Sequence, residues 1–271
     1  MKDIPCIDFA LIANRTFNED EFEEEKKICQ NIVSAFSEIG FVYLKNHGIP
    51  HELIENIHKV GEEFFSLPEE EKLKYEKDLE VMQGYVAIDR ELLHISKDIH
   101  ELRESFDASN PNGDFPSEVK DLKKTIANVM AEGVKFSNKL LRCLEVGLEL
   151  PNGTLMDKHQ NPFSSLNGTL LRILHYPPIP ENAKDGLIRC GAHTDYGTFT
   201  LLFQDDIGGL EPHRVLVPKE EVIRKCARRS VVLFFHPDHD AMVKPLDGSS
   251  TYPAVGAGEY LKQRYKYTFT Y

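Results

Sequence analysis

Along the first half of the chain the apolar positions recur at helical spacing, and toward the C-terminus they switch to short alternating runs. Ile4-Pro5-Cys6-Ile7-Asp8-Phe9 reads as a short edge strand, a place where proline is tolerated. Thr16-Phe17-Asn18-Glu19 has the spacing of a capping box, and the helix it opens carries Ile28, Cys29, Ile32, Val33 and Phe36 on one side before Gly40 ends it. Phe41 to Leu44 predicts a strand and Asn46-His47-Gly48 a turn. Pro50 opens a second helix with Leu53, Ile54, Ile57, Val60, Phe64 and Phe65 buried. Pro68 followed by Glu69, Glu70 and Glu71 starts another, with carboxylates where the helix dipole favours them.

Between Gly84 and Pro116 the pattern weakens, and Asn110-Pro111-Asn112-Gly113 is a loop. A long helix is predicted from about Glu118 to Leu148, with Val119, Leu122, Ile126, Val129, Phe136, Leu140, Leu144 and Leu148 as a core-packing stripe. Pro151-Asn152-Gly153 stops it. From about Leu166 onward short β-rich runs between turns suggest an antiparallel sandwich or barrel. The pattern divides the chain into 1–116, a helix and linker over 117–165, and a β-rich domain over 166–271.

Composition narrows the classes. The 271 residues, 41% hydrophobic and 28% charged, are those of an ordinary soluble globular protein with ample core. A formal charge of −12 disfavours nucleic acid or an anionic membrane as main partner. Five scattered cysteines without a C-x-x-C argue for reduced thiols in a cytoplasmic setting, against a disulfide framework or a zinc site. The first apolar run, Ile4 to Ala13, is broken by Pro5 and Asp8, so it reads as neither a signal peptide nor a membrane span.

The candidate chemistry centres on Cys190-Gly191-Ala192-His193-Thr194-Asp195-Tyr196-Gly197. On an extended segment His193 and Asp195, two apart, point to one side and supply two of the three ligands of a 2-His-1-carboxylate triad, which leaves open positions on Fe(II). A His-x-Asp by itself fits a surface histidine beside an aspartate about as well. Pro212-His213-Arg214-Val215 offers a second histidine. Arg228 and Ser230 share one face of a predicted strand running to Phe235, and a guanidinium fork beside a hydroxyl is a receptor for a carboxylate. The plainer reading, a basic strand start, suits Arg229 better than Arg228. His47 reads as a turn histidine bonded to its own backbone.

These motifs, taken in order, resemble the isopenicillin N synthase-like branch of the 2-oxoglutarate- and Fe(II)-dependent oxygenases. Gly40-Phe41-Val42-Tyr43-Leu44-Lys45-Asn46-His47-Gly48-Ile49 and Phe64-Phe65-Ser66-Leu67-Pro68 are similar to that family's N-terminal domain. Leu171 to Pro178, His193-Thr194-Asp195, Gly208-Gly209-Leu210-Glu211, His213-Arg214-Val215 and Arg228-x-Ser230 are similar to its catalytic domain. The resemblance implies an α+β chain with a double-stranded β-helix (jelly-roll) core and flanking helices. It implies iron held by His193, Asp195 and His213. It also implies 2-oxoglutarate held through its distal carboxylate by Arg228 and Ser230, with Tyr176 nearby. The implied reaction consumes O2, decarboxylates 2-oxoglutarate to succinate and oxidises a C–H bond of a small-molecule substrate. Arg-x-Ser also serves in some family members to hold a substrate carboxylate.

One departure stands out. In the family the distal histidine follows His-x-Asp by several tens of residues, whereas His213 lies 18 positions after Asp195 and the chain has no tryptophan. The pattern implies a block of the jelly roll missing near Glu211/Pro212, and hence an incomplete core with unpaired strand edges. Two functional classes follow: an active oxygenase, or a non-catalytic or unstable variant with impaired iron binding. His236 or His239 is a further alternative as distal ligand, although the Phe-Phe-His-Pro-Asp-His run suggests structural roles for both. The substrate and the oligomeric state are not legible.

Overall fold

The structure is a computed structural model that describes residues 4–14, 22–91, 100–180, 187–205, 210–211, 214–215, 225–249 and 252–268. The proposed capping box at Thr16–Glu19 and the candidate ligand His213 lie outside the described residues. Two compact units form: one from residues 1–51 and 131–160, the other from 52–130 and 161–271.

In the first unit, β1 (Cys6–Asp8) pairs in parallel with β2 (Tyr43–Lys45), with Ile7 opposite Leu44. The short α1 (Ala10–Ala13) follows β1, and α2 (Phe22–Glu38) buries Cys29, Ile32 and Ala35. Gly40 takes a φ of +84°, the left-handed conformation glycine reaches without steric cost, and ends the helix as expected. The turn before the next helix holds His47, whose Nδ1 accepts from the Ile49 backbone N–H at 3.2 Å, as its sequence context predicts. Phe9 and Phe136 pack with ring centroids 5.2 Å apart. The Cys29 and Cys143 thiols meet at 2.8 Å, both reduced. The buried Glu145 carboxylate accepts backbone N–H bonds from Gly153, Leu155 and Met156 and so organises the turn that terminates the long helix. Burial works against its charge, but those three donors prevail and lower its pKa.

The second unit carries the sheet. Helices α3 (His51–Phe65) and α4 (Glu69–Leu73) precede it, and the 26-residue α5 (Leu122–Gly147) begins in this unit and from Ala131 onward belongs to the first. Five antiparallel strands pair in the order β3 (Gly84–Val86), β5 (Glu104–Ala108), β6 (Leu170–Tyr176), β11 (Arg228–Phe235), β8 (Phe199–Gln204). Smaller pairs are β4 (His100–Glu101) with β7 (Leu187–Ile188), β9 (Leu210–Glu211) with β10 (Arg214–Val215), and β12 (Met242–Val243) with β13 (Val255–Gly256). Helix α6 (Ala257–Thr268) follows. Helix α3 packs closely on the sheet, since a Cβ at Gly61 would fall 2.8 Å from Ile173 Cγ2. Among the described residues no helix is long and apolar enough to cross a membrane.

Two sheet strands come from Gly84–Pro116, where the sequence pattern weakens, and not from the β-rich region after Leu166. The reason is that β5 buries charges. Glu104 accepts from Lys72 Nζ at 2.7 Å and from the Tyr85 hydroxyl at 2.5 Å, and lies 2.8 Å from His175 Nδ1. Asp107 receives Lys77 at 2.6 Å and a two-pronged bond from Arg172 at 2.6 and 2.7 Å. Arg172 also binds both oxygens of Glu91, and Arg103 bridges Glu91 and Glu101. A strand buried on both faces, with a paired carboxylate on each, shows no hydrophobic alternation, because partners elsewhere in the fold make its carboxylates compatible with burial.

Candidate metal and cosubstrate site

His193 and Asp195 sit on the connection leading into β8, in neither helix nor strand. The side chains converge, with His193 Nε2 3.4 Å from Asp195 Oδ1. His193 Nδ1 lies 2.9 Å from the Gly191 carbonyl, which can only accept, so Nδ1 carries a proton and Nε2 turns to the aspartate. Thr200, at the start of β8, donates its hydroxyl to Asp195 Oδ2 at 2.6 Å. The other carboxylate oxygen is thereby turned toward the imidazole.

This donor pair fits a divalent cation. A nitrogen and an oxygen 3.4 Å apart have the separation of two ligands that each bind one ion at about 2 Å. Burial opposes protonation of His193, but Asp195, the Cys190 sulfur and the Gly191 carbonyl outweigh it and raise the pKa to about 10. Among the described residues no cluster of three histidine, cysteine or acidic side chains completes the set, so neither His236 nor His239 joins the pair. Their backbone N–H groups are engaged locally, that of His236 donating to Thr169 Oγ1 at 3.2 Å and that of His239 to the Leu166 carbonyl at 2.8 Å. Strands β9 and β10 flank positions 212 and 213, with Glu211 opposite Arg214.

The other candidate residues come together on adjacent strands. Arg228 is the register partner of Tyr176, and its guanidinium lies 4.9 Å over that ring. Ser230 pairs with Leu174 on one side and Gln204 on the other. Arg228 donates to Ser230 Oγ at 3.3 Å and to Gln204 Oε1 at 3.1 Å, so fork and hydroxyl occupy one face as their spacing predicts. Arg229 faces the opposite side, where it pairs with Glu62 and Asp205. Leu174, Tyr176, Cys190 and Val232 form one apolar cluster flanked by Leu202 and Phe234, which links the strand that leads into His193 to the Arg228 strand. Burial, and then the sulfur of Cys190, raise the pKa of Tyr176 and keep its phenol neutral.

Three residues of this region escape a reading of the sequence. Thr200 and Gln204 alternate with Leu202 on β8, a signal present but ambiguous for any polar strand position. Arg189 is a single charge in the apolar lead-in Leu187-Ile188-Arg189-Cys190, and only the fold shows it fully buried.

The family model described as non-haem dioxygenase in morphine synthesis N-terminal matches residues 4–128, and that described as 2OG-Fe(II) oxygenase superfamily matches residues 167–221. The chain belongs to the 2OG-Fe(II) oxygenase superfamily. A 2-oxoglutarate-dependent dioxygenase of Glarea lozoyensis is 32% identical over 73% of this chain and 64% of its own length. The chain thus spans slightly less than two thirds of that relative. A 2-oxoglutarate-Fe(II) type oxidoreductase of Metarhizium rileyi is 27% identical over 98% of this chain and 91% of its own. A full-length protein of Neurospora crassa, solved in complex with alpha-KG, superposes with a TM-score of 0.82 at 25% identity, covering 96% of this chain and 95% of that one. The superfamily fold, α+β with a jelly-roll core, is the one the sequence resemblance implies.

Proposed function

We propose that this chain is an Fe(II)- and 2-oxoglutarate-dependent dioxygenase that oxidises a C–H bond of a small molecule. The observation that carries the reading is the convergence of His193 Nε2 and Asp195 Oδ1 at the entry to β8, whose next neighbour in the sheet presents Arg228 and Ser230. His193, Asp195 and His213 would hold the metal. Arg228 and Ser230 would bind the distal carboxylate of 2-oxoglutarate, with the Tyr176 ring beneath the guanidinium. Iron with O2 would supply the oxidising chemistry as 2-oxoglutarate is converted to succinate. The chain's own work is binding and exclusion: Thr200 fixes the aspartate, and the Leu174, Val232 and Cys190 cluster keeps water from the region beside Tyr176.

The finer reading places the chain in the isopenicillin N synthase-like branch, supported by the order of its motifs from Gly40 to Ser230. A block absent near Glu211/Pro212 is supported by the short spacing from Asp195 to His213, and the Metarhizium comparison supports missing length without placing it. That comparison extends over 334 positions against a chain of 271, so at least 63 of them face a gap. Sequencing the transcript across that junction tests the block directly. The five scattered cysteines without a C-x-x-C support a cytoplasmic location. The N. crassa protein has also been solved with thymine, which supports a small-molecule substrate, and the formal charge of −12 disfavours nucleic acid or an anionic membrane as main partner.

The function is tested anaerobically, then with O2. The metal-loaded chain should bind 2-oxoglutarate and convert it to succinate and CO2, and Asp195→Ala should do neither well. Equal metal binding and succinate formation in the two proteins would overturn the assignment.

A further inference from the structure

The Arg189 side chain is fully buried and only partly satisfied. Its Nη2 donates to the Cys226 carbonyl at 3.0 Å, while neither Nε nor Nη1 finds a hydrogen-bond partner among the described residues. Its electrostatic neighbours are Arg228, Tyr176, Asp205 and Cys226, all at the end of the sheet where β11 begins. Burial first, and then the Arg228 charge, pull its pKa below the ordinary arginine value. Asp205, the carboxylate among these neighbours, accepts the Arg229 backbone N–H at 2.7 Å and lies 3.8 Å from Arg229 Nε, which commits it to the opposite face of the strand.

Two neighbouring buried guanidiniums repel one another, and unmet N–H donors add a desolvation penalty. Arg172 and Arg103 are also buried, but each faces carboxylates within hydrogen-bond or ion-pair distance, the side-chain acceptors that Arg189 lacks among the described residues. An anion beside both Arg189 and Arg228 would relieve the repulsion and satisfy the open donors together.

We propose that Arg189 is a second guanidinium for the distal carboxylate of 2-oxoglutarate, acting with Arg228 and Ser230. The inference rests on the oxygenase reading above. The distal carboxylate is favoured over a substrate carboxylate because the surroundings of Arg189 are those of the Arg228 end. Tyr176 is Arg228's register partner, Cys226 lies two residues before Arg228, and Asp205 follows Gln204, the partner of Ser230.

The test is equilibrium binding to the full Mn(II)-loaded chain, which needs no turnover. Two ligands are titrated: 2-oxoglutarate, and 2-oxovalerate, which has a methyl group in place of the distal carboxylate. Arg189→Met should weaken 2-oxoglutarate about ten- to a hundredfold, the range for charge-assisted hydrogen bonds, and leave 2-oxovalerate unchanged. Without ligand, Arg189→Met should melt at or above the wild-type temperature, because an uncompensated buried charge has gone, while the rise in Tm on adding 2-oxoglutarate should shrink. Arg189→Lys should fall between the two in affinity. Unchanged 2-oxoglutarate binding in Arg189→Met, alongside a loss in Arg228→Ala, would overturn this inference and leave the oxygenase reading standing. Equal losses for both ligands, or a lowered ligand-free Tm in both Arg189 variants, would make Arg189 structural and also overturn it. Wild-type 2-oxoglutarate binding in Arg228→Ala would instead overturn the cosubstrate reading, and this inference with it.

Discussion

Thr200 and Asp195 are joined by a 2.6 Å hydrogen bond from the threonine hydroxyl to carboxylate Oδ2, across the junction between a loop and strand β8. The bond ties a loop ligand to the rigid sheet and sets which oxygen meets His193. Such outer partners of a metal ligand are commonly worth about ten- to a hundredfold in metal affinity. Thr200→Val keeps the branched shape and removes the donor. It should weaken Mn(II) binding about tenfold, measured by anaerobic titration, with little change in melting temperature. Thr200→Ser should restore most of the affinity.

Arg228 and Arg229 are adjacent in sequence and opposite in space, which makes each the control for the other. Arg228 lies buried over Tyr176, while Arg229 reaches Glu62 and Asp205 on the other face. Arg228→Ala removes a fork that can bind both oxygens of a carboxylate, and 2-oxoglutarate affinity should fall by about two orders of magnitude. Arg229→Ala should change it little. Similar losses in the two would point to a diffuse basic patch.

His213 is the proposed third ligand, and His236 or His239 is the alternative that the sequence left open. Replacing a true ligand should cost at least about tenfold in metal affinity. His213→Ala should show that loss in a Mn(II) titration, and His239→Ala should not, since among the described residues no third histidine, cysteine or acidic side chain joins His193 and Asp195. The reverse result would move the metal site to the end of β11.

The buried ion network predicts the acid limb of stability. Burial raises the pKa of Asp107, but Arg172 and Lys77 outweigh it and hold the carboxyl at about 2. Because the folded value is depressed, the stabilisation is fully present above the unfolded aspartate value near 4. It is lost as pH falls from there through about 2. The contribution is on the order of 2 kcal/mol. Melting temperature should drop steeply across that window in the wild type. Asp107→Asn should cost about 3–5 kcal/mol at neutral pH, by stranding Lys77 and Arg172, and should flatten the acid dependence. A mutant that melts like wild type at pH 7 would show that the network is not supporting the sheet.

The chain's local signals carried much of the site. His193 and Asp195 are two residues apart, and so are Arg228 and Ser230, and short spacing survives into three dimensions with few assumptions about the rest of the fold. The helices α2, α3 and α5 and the strands β6 and β11 were legible for the same reason, since each buries a periodic apolar face. What the tertiary structure alone decided were the interactions between distant segments. Strands β3 and β5 joined the sheet because Glu104 and Asp107 found hydrogen-bonding partners 30 to 71 positions away, at Lys72, Lys77, Arg172 and His175. No local period encodes a charge that becomes buriable only beside a remote partner. Arg189 likewise looked like an ordinary charge until the fold enclosed it beside Cys226, 37 residues on, and next to a second guanidinium. Hydrophobic periodicity records which face of an element is dry, whereas the pairing of buried charges is settled only when the segments that carry them pack together.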